Sequence, residues 1–68
     1  MEDFSKLKMP VDILNAALAQ EKKSHDFYTY MSANCRVESV RQLFDKLKDE
    51  EYKHTQLIEG MLTRLMQG

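Results

Sequence analysis

The stretch "KDEEYKHTQLIEGMLTRL", Lys48–Leu65, decides how this chain is read. Leu47 just before it, then Ile58, Met61 and Leu65, recur at helical spacing and mark the inner seam of an amphipathic helix. Glu51 and His54 stand on that seam between Leu47 and Ile58. At about 100° per residue, Val40, Leu43, Phe44, Glu51, His54, Ile58, Met61 and Leu65 all fall within about 60° of Leu47. A carboxylate and an imidazole therefore occupy positions that a small protein normally gives to its core.

Upstream, the pattern predicts another helix. Pro10 suits its first position, where the missing N–H costs nothing, and the following residues are rich in Ala, Leu, Gln, Glu and Lys. With Glu21 as the reference direction, Leu14, Ala17, Leu18, Ser24, His25, Tyr28, Ser32 and Cys35 share its face within about 60°. Glu21 is thus also aimed inward, while Gln20, Lys22 and Lys23 form a solvated face. Between the helices, "NCRVES", Asn34–Ser39, has weak helix preference. Ser39 is the expected N-cap of the second helix, with Gln42 completing a capping box.

The resulting plan is all-α: a tail over residues 1–9 and a helical hairpin over 10–67. The hairpin has a helix from about 10 to 35, a loop at about 36–38 and a helix from about 39 to 66. Phe4 and Leu7 give the tail something to pack. Gly60 interrupts the second helix, either tolerated there or admitting a neighbouring helix. A short link between long helices implies an antiparallel pair. Two helices cannot enclose a core, so two hairpins are expected to pair into a four-helix bundle.

Bulk properties press in the same direction. A single domain of 68 residues has a marginal core and needs disulfides, a metal or self-association. Cys35 is the sole cysteine, which excludes a disulfide within the chain and suits a reducing compartment. The net charge of −1, with acids and bases interspersed, favours neither nucleic acid nor an anionic membrane. Apolar runs are too short to span a bilayer, and the charged N-terminus does not read as a secretory signal. A cytoplasmic location is expected.

Three inward ionisable groups on one hairpin require partners, because unpaired charge is costly to bury. Neither seam carries Lys or Arg, and Lys48 and Lys53 lie off the face. A cation from outside the chain meets the need. Glu51 and His54, spaced i, i+3, can reach one ion, and Glu21 would face them across the hairpin. Two hairpins would supply the bundle di-metal pattern: a Glu from each of two helices and a Glu-x-x-His from each of the others. Oxygen and imidazole donors without thiolates suit iron or manganese, or another divalent metal, over a structural zinc knot.

At these residues the chain resembles the ferritin-like superfamily, and "DEEYKH", Asp49–His54, resembles the Glu-x-x-His helix of rubrerythrins. With two helices instead of four, it is most similar to the encapsulated ferritins, which build a di-iron centre between two subunits. Glu21, Tyr28, Glu51 and His54 match that family's donor pattern in type and order. The resemblance implies a ferroxidase that oxidises Fe(II) to Fe(III) for iron storage or detoxification. It also implies a homodimer at minimum, a ring-like higher oligomer, and sequestration in an encapsulin shell within the cytoplasm. Tyr28 would hold a ligand carboxylate through its hydroxyl.

Each residue has a plainer reading as well. Tyr28 is equally a core aromatic, and His25 is either an accessory ligand, a waypoint for incoming iron or a histidine at the solvent edge. Phe27, Tyr30 and Met31 lie off the seam and suggest a second contact surface. Two other functions fit the pattern: a rubrerythrin-like peroxide reductase drawing on an external electron donor, and a non-catalytic dimerisation module whose polar seam residues set register.

Overall fold

Pro10 opens the first long helix, α1 (Pro10–Asn34), in the computed structural model, which describes residues 4–67. Met9 precedes it in an extended conformation, and its carbonyl accepts from Ile13 N–H at 3.0 Å. Asp12 lies in the first turn, where a carboxylate complements the positive end of the helix. At the other end, Asn34 Nδ2 folds back and donates to the Tyr30 carbonyl at 2.8 Å, a local side-chain bond in the last turn. Cys35 then turns extended, at φ −87° and ψ 131°, and the helix stops.

The second helix, α2 (Glu38–Gln67), begins after a link of only residues 35–37. Its start departs from the capping box expected at Ser39. The Val37 carbonyl accepts the first helical bond, from Arg41 N–H at 2.9 Å, so Ser39 lies inside the first turn. Gln42 Nε2 donates to Glu38 Oε1 at 3.2 Å instead of serving Ser39, and Arg41 pairs with the same carboxylate. Glu38 wins because an acidic side chain in the first turn gains from the helix dipole and can hold Arg41 and Gln42 one turn on. The tail is also partly ordered: Phe4–Lys6 form a 3-10 turn closed by Leu7 N–H to Phe4 C=O at 3.1 Å. Leu7 is half-buried whereas Phe4 is exposed, so only one of the two expected tail contacts forms. The rest of the tail expectation, residues 1–3, lies outside the described residues.

The hairpin measures 45 × 29 × 12 Å, and its thinnest dimension equals one helix diameter. A single layer leaves both broad faces open. No hydrophobic residue is buried among the described ones. Along α2 the half-buried positions are Phe44, Leu47, Lys48, Glu51, Thr55, Ile58 and Leu62. Their mean direction is turned by about 50° from the seam drawn through Leu47. Val40, Leu43, His54, Met61 and Leu65, all expected inside, are exposed. The reason is geometric: one helix covers only one side of an apolar stripe, and the uncovered side of this stripe includes His54.

Near the link, Tyr28 stacks on Phe44 with ring centroids 6.0 Å apart and planes 27° apart, and Phe27 lies 6.3 Å from the same ring. Aromatic pairs of this kind contribute about 0.5–1.5 kcal/mol beyond their area. They tie the helices together close to the loop.

Gly60 meets open space, with nothing within 4 Å of where a Cβ would stand. Within the hairpin this is a tolerated helix glycine. Gly60→Ala should therefore raise stability by about 1 kcal/mol through helix propensity, or about 4–8 °C in Tm for a domain this size. Thermal unfolding followed by circular dichroism checks this. A lowered Tm would mean that another helix approaches Gly60 closely.

Candidate metal centre

Midway along the hairpin the two helices bring three donors together. Glu21 comes from α1, and Glu51 and His54 come from successive turns of α2. One ligand atom from each lies within 4.8 Å of the others. His54 Nδ1 stands 3.6 Å from Glu21 Oε2 and 3.9 Å from Glu51 Oε1. These separations exceed a good N–H···O hydrogen bond. They are slightly wider than the about 3–3.5 Å between two donors that share one small divalent ion at about 2.0–2.2 Å.

The carboxylates are well shielded and the imidazole is not: side-chain exposure is 25% for Glu21, 18% for Glu51 and 52% for His54. Glu21 Oε2 is buried with no hydrogen-bond partner among the described residues. A shielded carboxylate oxygen normally finds a donor, since leaving it unsatisfied is costly. Two carboxylates and an imidazole also leave a formal charge of −2 when the imidazole is neutral. An orphaned oxygen, an excess of negative charge and three donors within 4.8 Å of one another, close enough to draw in around one ion, all fit a divalent cation. Glu21, Glu51 and His54 are the residues that would hold it.

The other two residues singled out in the sequence stand elsewhere. The Tyr28 ring stacks against Phe44, and among the described residues its hydroxyl bonds to no ligand carboxylate. His25 is absent from the three-donor group. It lines an open groove of about 250 Å³ together with Lys22, Asp26, Tyr52 and Thr55, and its Nδ1 lies 3.9 Å from Asp26 Oδ1. Asp45 escaped the seam reading altogether. Its carboxylate accepts from Ser32 Oγ across the hairpin, a pairing that no periodicity along one helix announces.

Paired helices meeting over inward carboxylates and a Glu-x-x-His turn define a ferritin-like helical hairpin. The Rubrerythrin family model matches residues 12–68, nearly the whole hairpin, and the chain belongs to that family. It is accordingly a ferritin-like protein of a family that typically binds iron. No curated protein and no solved structure matches the chain. Among the described residues, no helix is long and apolar enough to cross a membrane.

Proposed function

We propose that this protein is a ferroxidase-type di-iron protein whose site forms between two copies of the chain, serving iron storage or detoxification. The observation that carries the reading is the Glu21, Glu51 and His54 cluster, brought together within one hairpin and left open on the His54 side. Three protein donors do not fill the coordination sphere of iron. A second hairpin on that side would double the set to four carboxylates and two imidazoles. It would also cover Leu43 and Met61, which flank His54 on the uncovered part of the seam.

Iron held there supplies one-electron redox chemistry, with Fe(II) as the substrate and Fe(III) as the product. The chain's own contribution is electrostatic. Anionic Glu21 and Glu51 favour the higher charge of the product over that of the substrate, and their partial shielding strengthens the effect. His54, as the exposed donor, provides a neutral nitrogen at the edge where ion and oxidant arrive. Ring-like assembly and an encapsulin shell belong to this proposal as the setting in which the product would be stored.

Family membership also supports a peroxide reductase. Cys35 is the only cysteine of the chain, so such an activity would need electrons from an outside donor. The substrate test separates the two: Fe(II) consumed with dioxygen and no added reductant supports the ferroxidase, while turnover only with peroxide and a reductant supports the alternative.

Native mass measurement, with and without anaerobic Fe(II) loading, tests the site. The expected result is two irons per dimer and a dimer tightened by metal, because binding at a shared site is linked to assembly. A dimer that takes up no iron would assign the polar seam to a non-catalytic dimerisation module.

A further inference from the structure

We propose that the Ser32–Asp45 hydrogen bond is a register clamp that positions Glu21 against Glu51 and His54. The inference rests on the metal reading of that cluster. Ser32 is the one buried residue among those described, at 8% exposure, in a hairpin without a buried hydrophobic residue among them. Its Oγ donates to Asp45 Oδ1 on the opposite helix. The same Asp45 oxygen lies 3.9 Å from Lys48 Nζ, one turn further along α2.

Apart from the Tyr28–Phe44 stack, the interface contains no buried hydrophobic residue among those described, and partly exposed apolar side chains exchange neighbours at small cost. The link of residues 35–37 limits sliding but leaves each helix free to turn about its own axis. A buried hydroxyl differs from those apolar contacts, because displacing it from its acceptor strands a polar group. One polar contact within an apolar interface is the best-attested way to fix register.

The spacing on α1 connects this clamp to the metal donors. Ser32 and Glu21 are separated by 11 residues, about three helical turns, and so point within about 20° of the same direction. Holding Ser32 against α2 therefore holds Glu21 against α2 about 16 Å away. The tolerance there is small. His54 Nδ1 stands 3.6 Å from Glu21 Oε2, and turning α1 about its axis by one residue's angle, about 100°, would carry Glu21 away from the facing helix. Ser32 and Asp45 act as positioning residues and touch no donor themselves.

Four single variants and one double variant test this. Ser32→Ala and Asp45→Ala should each weaken Fe(II) binding, measured anaerobically by calorimetry, about tenfold, as when the competent register falls to about a tenth of the population. Ser32→Thr and Asp45→Asn, which keep a donor and an acceptor, should stay within about twofold of the parent. The double variant Ser32→Ala/Asp45→Ala should bind no more weakly than either single, the signature of one shared contact. Should Ser32→Ala fail to fold, Asp45→Ala and Asp45→Asn make the same comparison at an exposed residue.

A metal-free readout runs beside it: proton cross-relaxation between the Tyr28 and Phe44 rings, whose centroids are 6.0 Å apart. It should persist in the parent and in Ser32→Thr, and fade in Ser32→Ala. The clamp is overturned if Ser32→Ala and Asp45→Ala match the parent in both readouts, or if Ser32→Thr is as damaging as Ser32→Ala. A parent protein that binds no Fe(II) removes the metal reading alone, and the ring contact still decides the clamp.

Discussion

Glu51→Ala should lose Fe(II) affinity by about 100-fold or more, and iron-dependent oxidation should fall to the rate without protein. The estimate follows from what Glu51 does. Replacing residues that merely support metal ligands already costs about 10–100-fold, and Glu51 is a candidate ligand. It is the better shielded of the two carboxylates, it shares His54 Nδ1 with Glu21, and a dimer would contain it twice. His54→Ala should be nearly as damaging, since it removes the nitrogen that stands between both carboxylates. Glu50→Ala, altering an exposed neighbour of Glu51, should leave binding unchanged. Calorimetry under nitrogen and oxygen uptake in air give the two numbers. Retention of both by Glu51→Ala would remove the metal centre as described.

The second large effect concerns assembly. Leu43→Glu combined with Met61→Glu should weaken the dimer by about 100-fold or more. Leu43 is 53% exposed and Met61 41%, and both lie on the uncovered side of α2 that includes His54. Covering large apolar side chains fully is worth about 1.5–3 kcal/mol each. A carboxylate at either place loses that gain and adds a desolvation cost at the contact. Sedimentation across a concentration series reads the shift. Gln56→Glu, exposed and on the opposite side of α2, is the matched control and should leave the dimer intact. If helicity falls with the dimer, the hairpin depends on its partner for a core, as obligate dimers do. A double variant that remains dimeric at the parent's concentrations would place the second copy on another face.

These two experiments approach the same face from different sides, one from its ligands and the other from its apolar rim. If metal and partner are linked, each variant should also show the other's defect in weaker form. Glu51→Ala should dimerise less tightly in iron. Leu43→Glu/Met61→Glu should bind one ion per chain weakly, through the three donors that a lone hairpin retains.

Both helices were legible in the sequence because their signals are local. Pro10 fits the first turn of a helix, Asn34 and Cys35 break the pattern, and apolar residues recur every three or four positions on either side. The Ser39 cap was misplaced by two residues, with Val37 in the capping position, because two side chains competed to organise the same first turn. Glu38, holding both Arg41 and Gln42, had more partners. The candidate site was legible through residue type: Glu21, Glu51 and His54 each stood out as ionisable groups on an apolar face. Tyr28 shows the limit of that reasoning. Its position on the seam is compatible with serving a ligand or stacking on a ring, and only the placement of Phe44 on the facing helix shows it stacked.

The sequence alone determined that this chain forms two amphipathic helices and which side chains each could turn inward, since both follow from a period of 3.6 residues. It could not determine how far each helix turns about its axis, or how the two are aligned along their length. Those depend on contacts between residues far apart in sequence. Tertiary structure decided that Glu21 lies level with Glu51 and His54, that Ser32 meets Asp45, and that one side of the α2 seam, with His54 on it, stays uncovered. The physical reason is that a helix fixes directions within itself, while distances between helices exist only once two surfaces have packed.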